Sequence, residues 1–227
     1  MKFTWLGQGG MLFDNGRAKI IIDPYLSDSV EKINPKSFRR TRIDESIFDV
    51  RPDIMIFTHD HLDHFDPETA ERFLSREGKA VTVFSPSSVW GRVRKLGGEH
   101  NYVQFNRGTE WTEGDIRLLA VYAEHSDPYA IGVVIEDLAE GRRYYVAGDT
   151  LYNRRIADEL GGAVDVAFMP VNGVGNNMNM TDAARLAEKI GAKKVVPVHF
   201  GMFDELRPHG MQVRGLTVPT VYEQIEI

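Results

Sequence analysis

The chain contains no cysteine. Disulfides and thiolate metal sites are therefore excluded, and any bound metal must be held by nitrogen and oxygen. No stretch approaches the roughly 18 consecutive apolar residues of a membrane-spanning helix. The amino terminus, Met1-Lys2-Phe3-Thr4-Trp5-Leu6-Gly7-Gln8-Gly9-Gly10, lacks the apolar core and small-residue cleavage site of a secretory signal, so a cytoplasmic protein without membrane contact is expected. A basic balance is missing too. The formal net charge of −6 argues against a surface that coats nucleic acid. Internal repeats, heptads and low-complexity tracts are also absent. What remains is an ordinary globular composition, 42% hydrophobic and 26% charged over 227 residues, long enough for one large domain or two small ones, of which a single domain spanning 1–227 is the expectation.

Apolar patterning predicts strands over Lys2–Leu6, Met11–Phe13 and Ala18–Ile22, the last two joined by a hairpin at Asn15-Gly16. Residues 25–50 carry no clean period and concentrate positive charge at Arg39, Arg40 and Arg42. Such a long connection reads either as an anion-binding loop or as a solvated basic one. Strand Ile54–Phe57 leads into a His-rich stretch. Asp66-Pro67 then opens a helix that runs toward Gly78, followed by strand Ala80–Phe84, a helix from Ser87 or Ser88, and strand Tyr102–Phe105. A meander is predicted over Thr109–Trp111, Ile116–Ala123, Tyr129–Glu136 and Arg142–Ala147. Helix Asn153–Leu160, strand Val164–Val171, a helix capped by Asn179 or Thr181, and strand Lys194–Val198 follow. The tail is expected to close an outer sheet. Each half thus runs strands first and helices after, which suits α/β layering of two sheets between helices.

Thr58-His59-Asp60-His61-Leu62-Asp63-His64 packs three imidazoles and two carboxylates into seven residues after a buried strand. His59 and His61, two apart, would share one face of an extended chain. Neutral imidazole is the commonest metal ligand, which favours a metal site over a solvated polar loop. The same placement recurs along the chain, with a ligand-capable side chain just past a predicted strand end: Asp23, His125, Asp149 and His199. Asp23, before Pro24, also reads as a simple turn-former. His100 and His209 lack this setting.

His59-X-His61-X-Asp63-His64, followed in order by His125, Asp149 and His199, resembles the metallo-β-lactamase-fold hydrolases. The resemblance spans Asp23 to Phe203 and implies an α/β (α+β) fold, a four-layer αββα sandwich. It further implies that His59, His61 and His125 hold one metal, and that Asp63, His64 and His199 hold a second. Asp149 would bridge the two, and Asp23 would orient the His loop rather than ligate. Asp63 and Asp149 are the carboxylates assigned to catalysis. The cofactor would be one or two divalent ions, zinc or manganese first and iron or nickel next, acting on a metal-activated water. Asp23-Pro24-Tyr25-Leu26-Ser27, Asn179-Met180-Thr181 and Val196-Pro197-Val198-His199-Phe200-Gly201-Met202-Phe203 lean toward the L-ascorbate-6-phosphate lactonase-like branch, whose members often form homo-oligomers. Thr150-Leu151-Tyr152 departs from that branch.

The implied activity is hydrolysis of a small anionic ester, lactone or phosphoester, with Arg39, Arg40, Arg42, Asn176, Asn177 and Asn179 as candidate substrate contacts. One alternative is a phosphodiesterase or nuclease of the same fold, disfavoured by the acidic balance. Another, outside enzymes, is an inert metal-binding sensor, which the full complement of ligands disfavours.

Overall fold

The computed structural model describes residues 1–227, which divide into two compact units. The first comprises Met1–Gln104, Gly201–Glu205 and Pro219–Ile227; the second comprises Phe105–Phe200 and Leu206–Val218. No helix is long and apolar enough to cross a membrane.

The first unit begins with strands β1 (Lys2–Gly7), β2 (Gly10–Asp14) and β3 (Lys19–Ile22), an antiparallel set. The turn before β3 forms as its Asn-Gly signal predicts, with Asn15 Oδ1 accepting from the Arg17 and Ala18 N–H groups. The segment 25–50, in which no element was predicted, contains a short helix α1 (Ser29–Ile33) and a 3₁₀ turn over Glu45–Asp49. Each is about one turn long, too short to register as a period. Strand β4 (Ile54–Ile56) pairs in parallel with β3, and all three of its residues are buried, as a strand covered on both faces requires.

Helix α2 (Pro67–Leu74) starts as predicted at Asp66, whose carboxylate accepts from the Glu68 and Thr69 N–H groups and from the Thr69 hydroxyl. It ends at Ser75, short of Gly78. Strand β5 (Thr82–Ser85), helix α3 (Ser87–Val93) and strand β6 (Asn101–Gln104) complete the parallel half. Leu6, Ile21, Leu26, Met55, Phe57, Phe65, Phe73, Leu74, Val83 and Val89 form the core of this unit.

The second unit repeats the plan. Strands β7 (Glu110–Glu113), β8 (Ile116–Tyr122), β9 (Ile131–Asp137) and β10 (Arg142–Val146) form an antiparallel meander. Helix α4 (Arg154–Leu160), capped by Asn153, leads to β11 (Val166–Pro170), and helix α5 (Met180–Lys189), capped by Asn179, leads to β12 (Lys194–Val198). Strands β10, β11 and β12 are parallel neighbours, so the six-stranded sheet runs β12-β11-β10-β9-β8-β7.

The chain then returns to the first unit with β13 (Gln224–Glu226), which pairs with β1. The seven-stranded sheet runs β13-β1-β2-β3-β4-β5-β6, and the tail closes its edge as expected.

Asp66 links this scaffold to the loop beyond β3, because the Thr69 hydroxyl that donates to Asp66 also accepts from the Leu26 N–H at 2.8 Å. Replacing Asp66 by Ala removes a buried cap and is expected to cost about 1–2 kcal/mol, read as a shift in the urea unfolding midpoint; an unchanged midpoint would contradict the linkage.

Candidate functional site

In the first unit, Asp23 and His59 lie just past the carboxyl ends of the parallel neighbours β3 and β4, where such sheets place their ligands. The backbone joins them, with the Asp23 N–H donating to the Ile56 carbonyl at 3.0 Å. The stretch from Thr58 to His64 is closed at its base by the edge-on ring pair Phe57 and Phe65, with centroids 5.1 Å apart. Contrary to expectation, His59 and His61 do not lie in extended chain. The loop bends after Phe57 and turns at residues 62–64, with the His64 and Phe65 N–H groups donating to the His61 carbonyl. The turn still brings the imidazoles together: the His59 ring centroid is 4.7 Å from that of His61 and 4.1 Å from that of His64.

Asp23 organises this loop. It is 1% exposed and sits at φ 45°, a left-handed conformation uncommon outside glycine. Its Oδ1 accepts from the Thr58 N–H at 2.8 Å, and its Oδ2 accepts from the Thr58 hydroxyl and from His64 Nδ1 at 2.8 Å. The Thr58 oxygen in turn lies 3.0 Å from His59 Nδ1. A carboxylate only accepts, so the single Thr58 hydroxyl proton points to Asp23, and His59 must donate from Nδ1. Both His59 and His64 therefore carry their proton on Nδ1, which leaves the lone pair on Nε2. This is the arrangement metal-bound imidazoles adopt when a partner fixes their tautomer. Asp23 thus ties the Thr58 backbone and hydroxyl to the His64 ring.

Two residues of this group were not singled out from the sequence. Gln8, 3% exposed and at φ 48°, donates from Nε2 to Asp63 Oδ2 at 2.8 Å, and its own carbonyl accepts from Trp5 Nε1 at 3.0 Å. Next to it, Gly9 is obligatory, since a Cβ there would fall 2.4 Å from His64 Cε1. Asp63 Oδ2 lies 3.9 Å from His64 Nε2.

In the second unit, His125 follows β8, Asp149 follows β10 and His199 follows β12, three strands running in one direction. The 123–127 and 149–153 segments are tied together: the Glu124 N–H donates to Thr150 Oγ1 at 2.8 Å and the Leu151 N–H to the Glu124 carbonyl at 2.9 Å. The Tyr122 hydroxyl and Asn153 amide both donate to the Glu124 carboxylate and hold it below its ordinary pKa. His125 Nδ1 donates to the Asn176 carbonyl at 3.3 Å, so this ring too is oriented through Nδ1. His199 Nε2 lies 3.2 Å from Asp149 Oδ2, and Asn177 Nδ2 donates to the same oxygen at 2.9 Å. His199 at φ 59° and Asn176 at φ 63° share the left-handed backbone of Asp23 and Gln8. Strain of this kind persists where surrounding contacts dictate it, and it clusters at functional sites.

The expected substrate contacts fare unevenly. Arg39 is a strut: its guanidinium donates to the Tyr25 and Ser27 carbonyls and to Met202 Sδ and lies 4.7 Å over the Tyr25 ring, with the side chain 5% exposed. Burial raises the Tyr25 hydroxyl to about 12, which keeps this partner neutral. Asn177 is buried and holds Asp149, and Asn179 caps α5 by accepting from the Asp182 N–H at 2.9 Å. Arg40, Arg42 and Asn176 are exposed.

The donor sets fit divalent ions. All are nitrogen or oxygen, three imidazoles are oriented through Nδ1, and within each unit the ligand atoms of His59 and His61, and of His125 and Asp149, come within 4.8 Å of one another.

Residues 18–200 match the beta-lactamase superfamily domain. A UPF0173 metal-dependent hydrolase of Thermus thermophilus is 31% identical over 92% of this chain and 88% of its own length. A UPF0173 protein of Pyrococcus furiosus is 29% identical over 92% and 87%. Among solved structures, Igni18, a metallo hydrolase from the archaeon Ignicoccus hospitalis, superposes with a TM-score of 0.77 at 21% identity, covering 99% of this chain and 97% of that one. The mixed α/β fold with two sheets is thus the one expected.

Replacing Asp23 by Ala strands the Thr58 N–H and hydroxyl and His64 Nδ1, at about 1–3 kcal/mol for each buried group. Urea unfolding of the metal-free protein should show a loss on the order of 3 kcal/mol or more, with Asp23→Asn intermediate. A loss no larger than that of a surface Asp→Ala control would contradict the role assigned to Asp23.

Proposed function

Because the chain belongs to the metallo-β-lactamase superfamily, and within it to the UPF0173 family of metal-dependent hydrolases, we propose that it hydrolyses a small anionic ester, lactone or phosphoester. The groups assigned to metal binding are His59, His61, Asp63 and His64 in the first unit and His125, Asp149 and His199 in the second. Zinc and manganese suit this all-nitrogen-and-oxygen donor set, as do iron and nickel. When bound, such ions supply a water acidified toward neutral pH and positive charge opposite a developing oxyanion.

The protein's own groups do the rest. Asp23 and Thr58 keep the Nε2 lone pairs of His59 and His64 available, which is the observation that carries this reading. Asp63 and Asp149 would offset the charge of a bound ion, and one of the two carboxylates would take the proton that an attacking water gives up. The exposed guanidinium groups of Arg40 and Arg42 favour an anionic substrate, and the exposed Asn176 of the second unit is the remaining polar candidate. The lactonase-like turns at 23–27 and 196–203 favour a cyclic ester over a phosphodiester.

Elemental analysis of the purified protein should find zinc, manganese, iron or nickel in stoichiometric amount. A panel of lactone, p-nitrophenyl phosphodiester and β-lactam substrates, run with Mn²⁺ and Zn²⁺, should show metal-dependent turnover. His61→Ala and Asp149→Ala should each lower it about a hundredfold or more, the scale for losing a group that stabilises transition-state charge. Turnover that survives either substitution would sink the mechanism, and metal binding without turnover on any substrate would favour the inert sensor.

A further inference from the structure

Each of the two carboxylates assigned above to both metal and proton chemistry receives an N–H from a side-chain carboxamide. In the first unit the pair is Gln8 and Asp63, at 2.8 Å; in the second it is Asn177 and Asp149, at 2.9 Å. A carboxylate accepts and does not donate, so in both pairs the amide must present its nitrogen, and the orientation is set by chemistry.

Gln8 is the more telling of the two. It occupies φ 48° in the run Gly7-Gln8-Gly9-Gly10, where the other three positions are glycine. A glycine would accept this backbone without strain; what the Gln8 side chain adds there is the amide that donates to Asp63. Its backbone is pinned from behind by Trp5 Nε1, and Trp5 is itself buried. Gly9, pressed against the His64 ring, fixes the same loop to the imidazole next in sequence to Asp63. Asp63 sits in the turn at 62–64 with its side chain 20% exposed, so the Gln8 amide bears on a partly solvent-facing carboxylate.

Asn177 shows the same logic on the other unit. It is 4% exposed, follows the left-handed Asn176, and precedes Met178, whose N–H donates to the Thr150 carbonyl beside Asp149.

We propose that Gln8 and Asn177 are positioning residues that hold the Asp63 and Asp149 carboxylates in their ligating rotamers before an ion arrives. A carboxamide suits this task better than Lys or Arg. It fixes the carboxylate with a hydrogen bond yet adds no positive charge to repel the incoming cation. This inference rests on the metal-hydrolase reading above.

The test is Zn²⁺ and Mn²⁺ affinity of the full-length protein, measured in competition with a chromogenic chelator, for wild type, Gln8→Gly, Gln8→Met and Asn177→Leu. Gln8→Gly relieves the backbone while deleting the amide, and Gln8→Met keeps the side-chain bulk without a donor. The expected result is affinity weakened about 10–100-fold in each variant, the usual effect of removing a partner of a ligand. The thermal midpoint of metal-free Gln8→Gly should stay at or above that of wild type, a combination that a merely structural role for Gln8 does not produce. Wild type that binds neither ion overturns the metal reading and this inference with it. Wild type that binds, with every folded variant binding equally well, overturns this inference alone.

Discussion

The hydrogen bonds accepted by the Asp23 carboxylate are the constraint from which the rest of the first unit's chemistry follows. Asp23 stands one residue past β3, and its partners stand past β4, so the parallel pairing of two short strands brings a carboxylate to a loop 35 residues later in the chain. One oxygen sets the backbone of Thr58; the other takes the Thr58 hydroxyl and His64 Nδ1. Because the hydroxyl has only one proton to give, its direction dictates the tautomer of His59 as well. Two imidazoles are thereby fixed by one buried acid whose own backbone is held in a conformation that few residues adopt freely.

The second unit reaches the same end with different groups. Its functional side chains also follow strands that run one way, and the segments that bear them are tied by Thr150, Glu124 and Asn177 rather than by a central carboxylate. The Asn176 carbonyl does for His125 what Thr58 does for His59. In both units the sheet supplies position and local hydrogen bonds supply orientation, the division of labour that a metal site demands.

Much of this was legible in the sequence, for identifiable reasons. Buried strands announce themselves by continuous apolar runs, and a polar residue that ends such a run must lie at a sheet edge; Asp23, His125, Asp149 and His199 were found that way. The cap at Asp66 was legible because capping is local, and Asn179 was one of the two caps offered for α5. Gln8 was not, because its partner lies 55 residues away and a lone Gln in a glycine-rich turn carries no periodic signal. Arg39 looked like an anion-binding group because charge is visible in a sequence, whereas the carbonyls of Tyr25 and Ser27 that occupy it are not. The bend after Phe57 was missed for a similar reason: alternation of His59 and His61 suits a strand, whereas the contacts that close the loop, Phe57 on Phe65 and Asp23 on Thr58 and His64, lie apart in the sequence.

Asp23 and Thr58 set the tautomer of two histidines in the metal-free protein. Nitrogen-15 NMR of the imidazoles in metal-free, full-length protein tests it most directly. Above their titration, His59 and His64 should both appear as the Nδ1–H tautomer, with Nε2 unprotonated and shifting on addition of Zn²⁺. Either ring found as the Nε2–H tautomer in the metal-free protein would contradict the account.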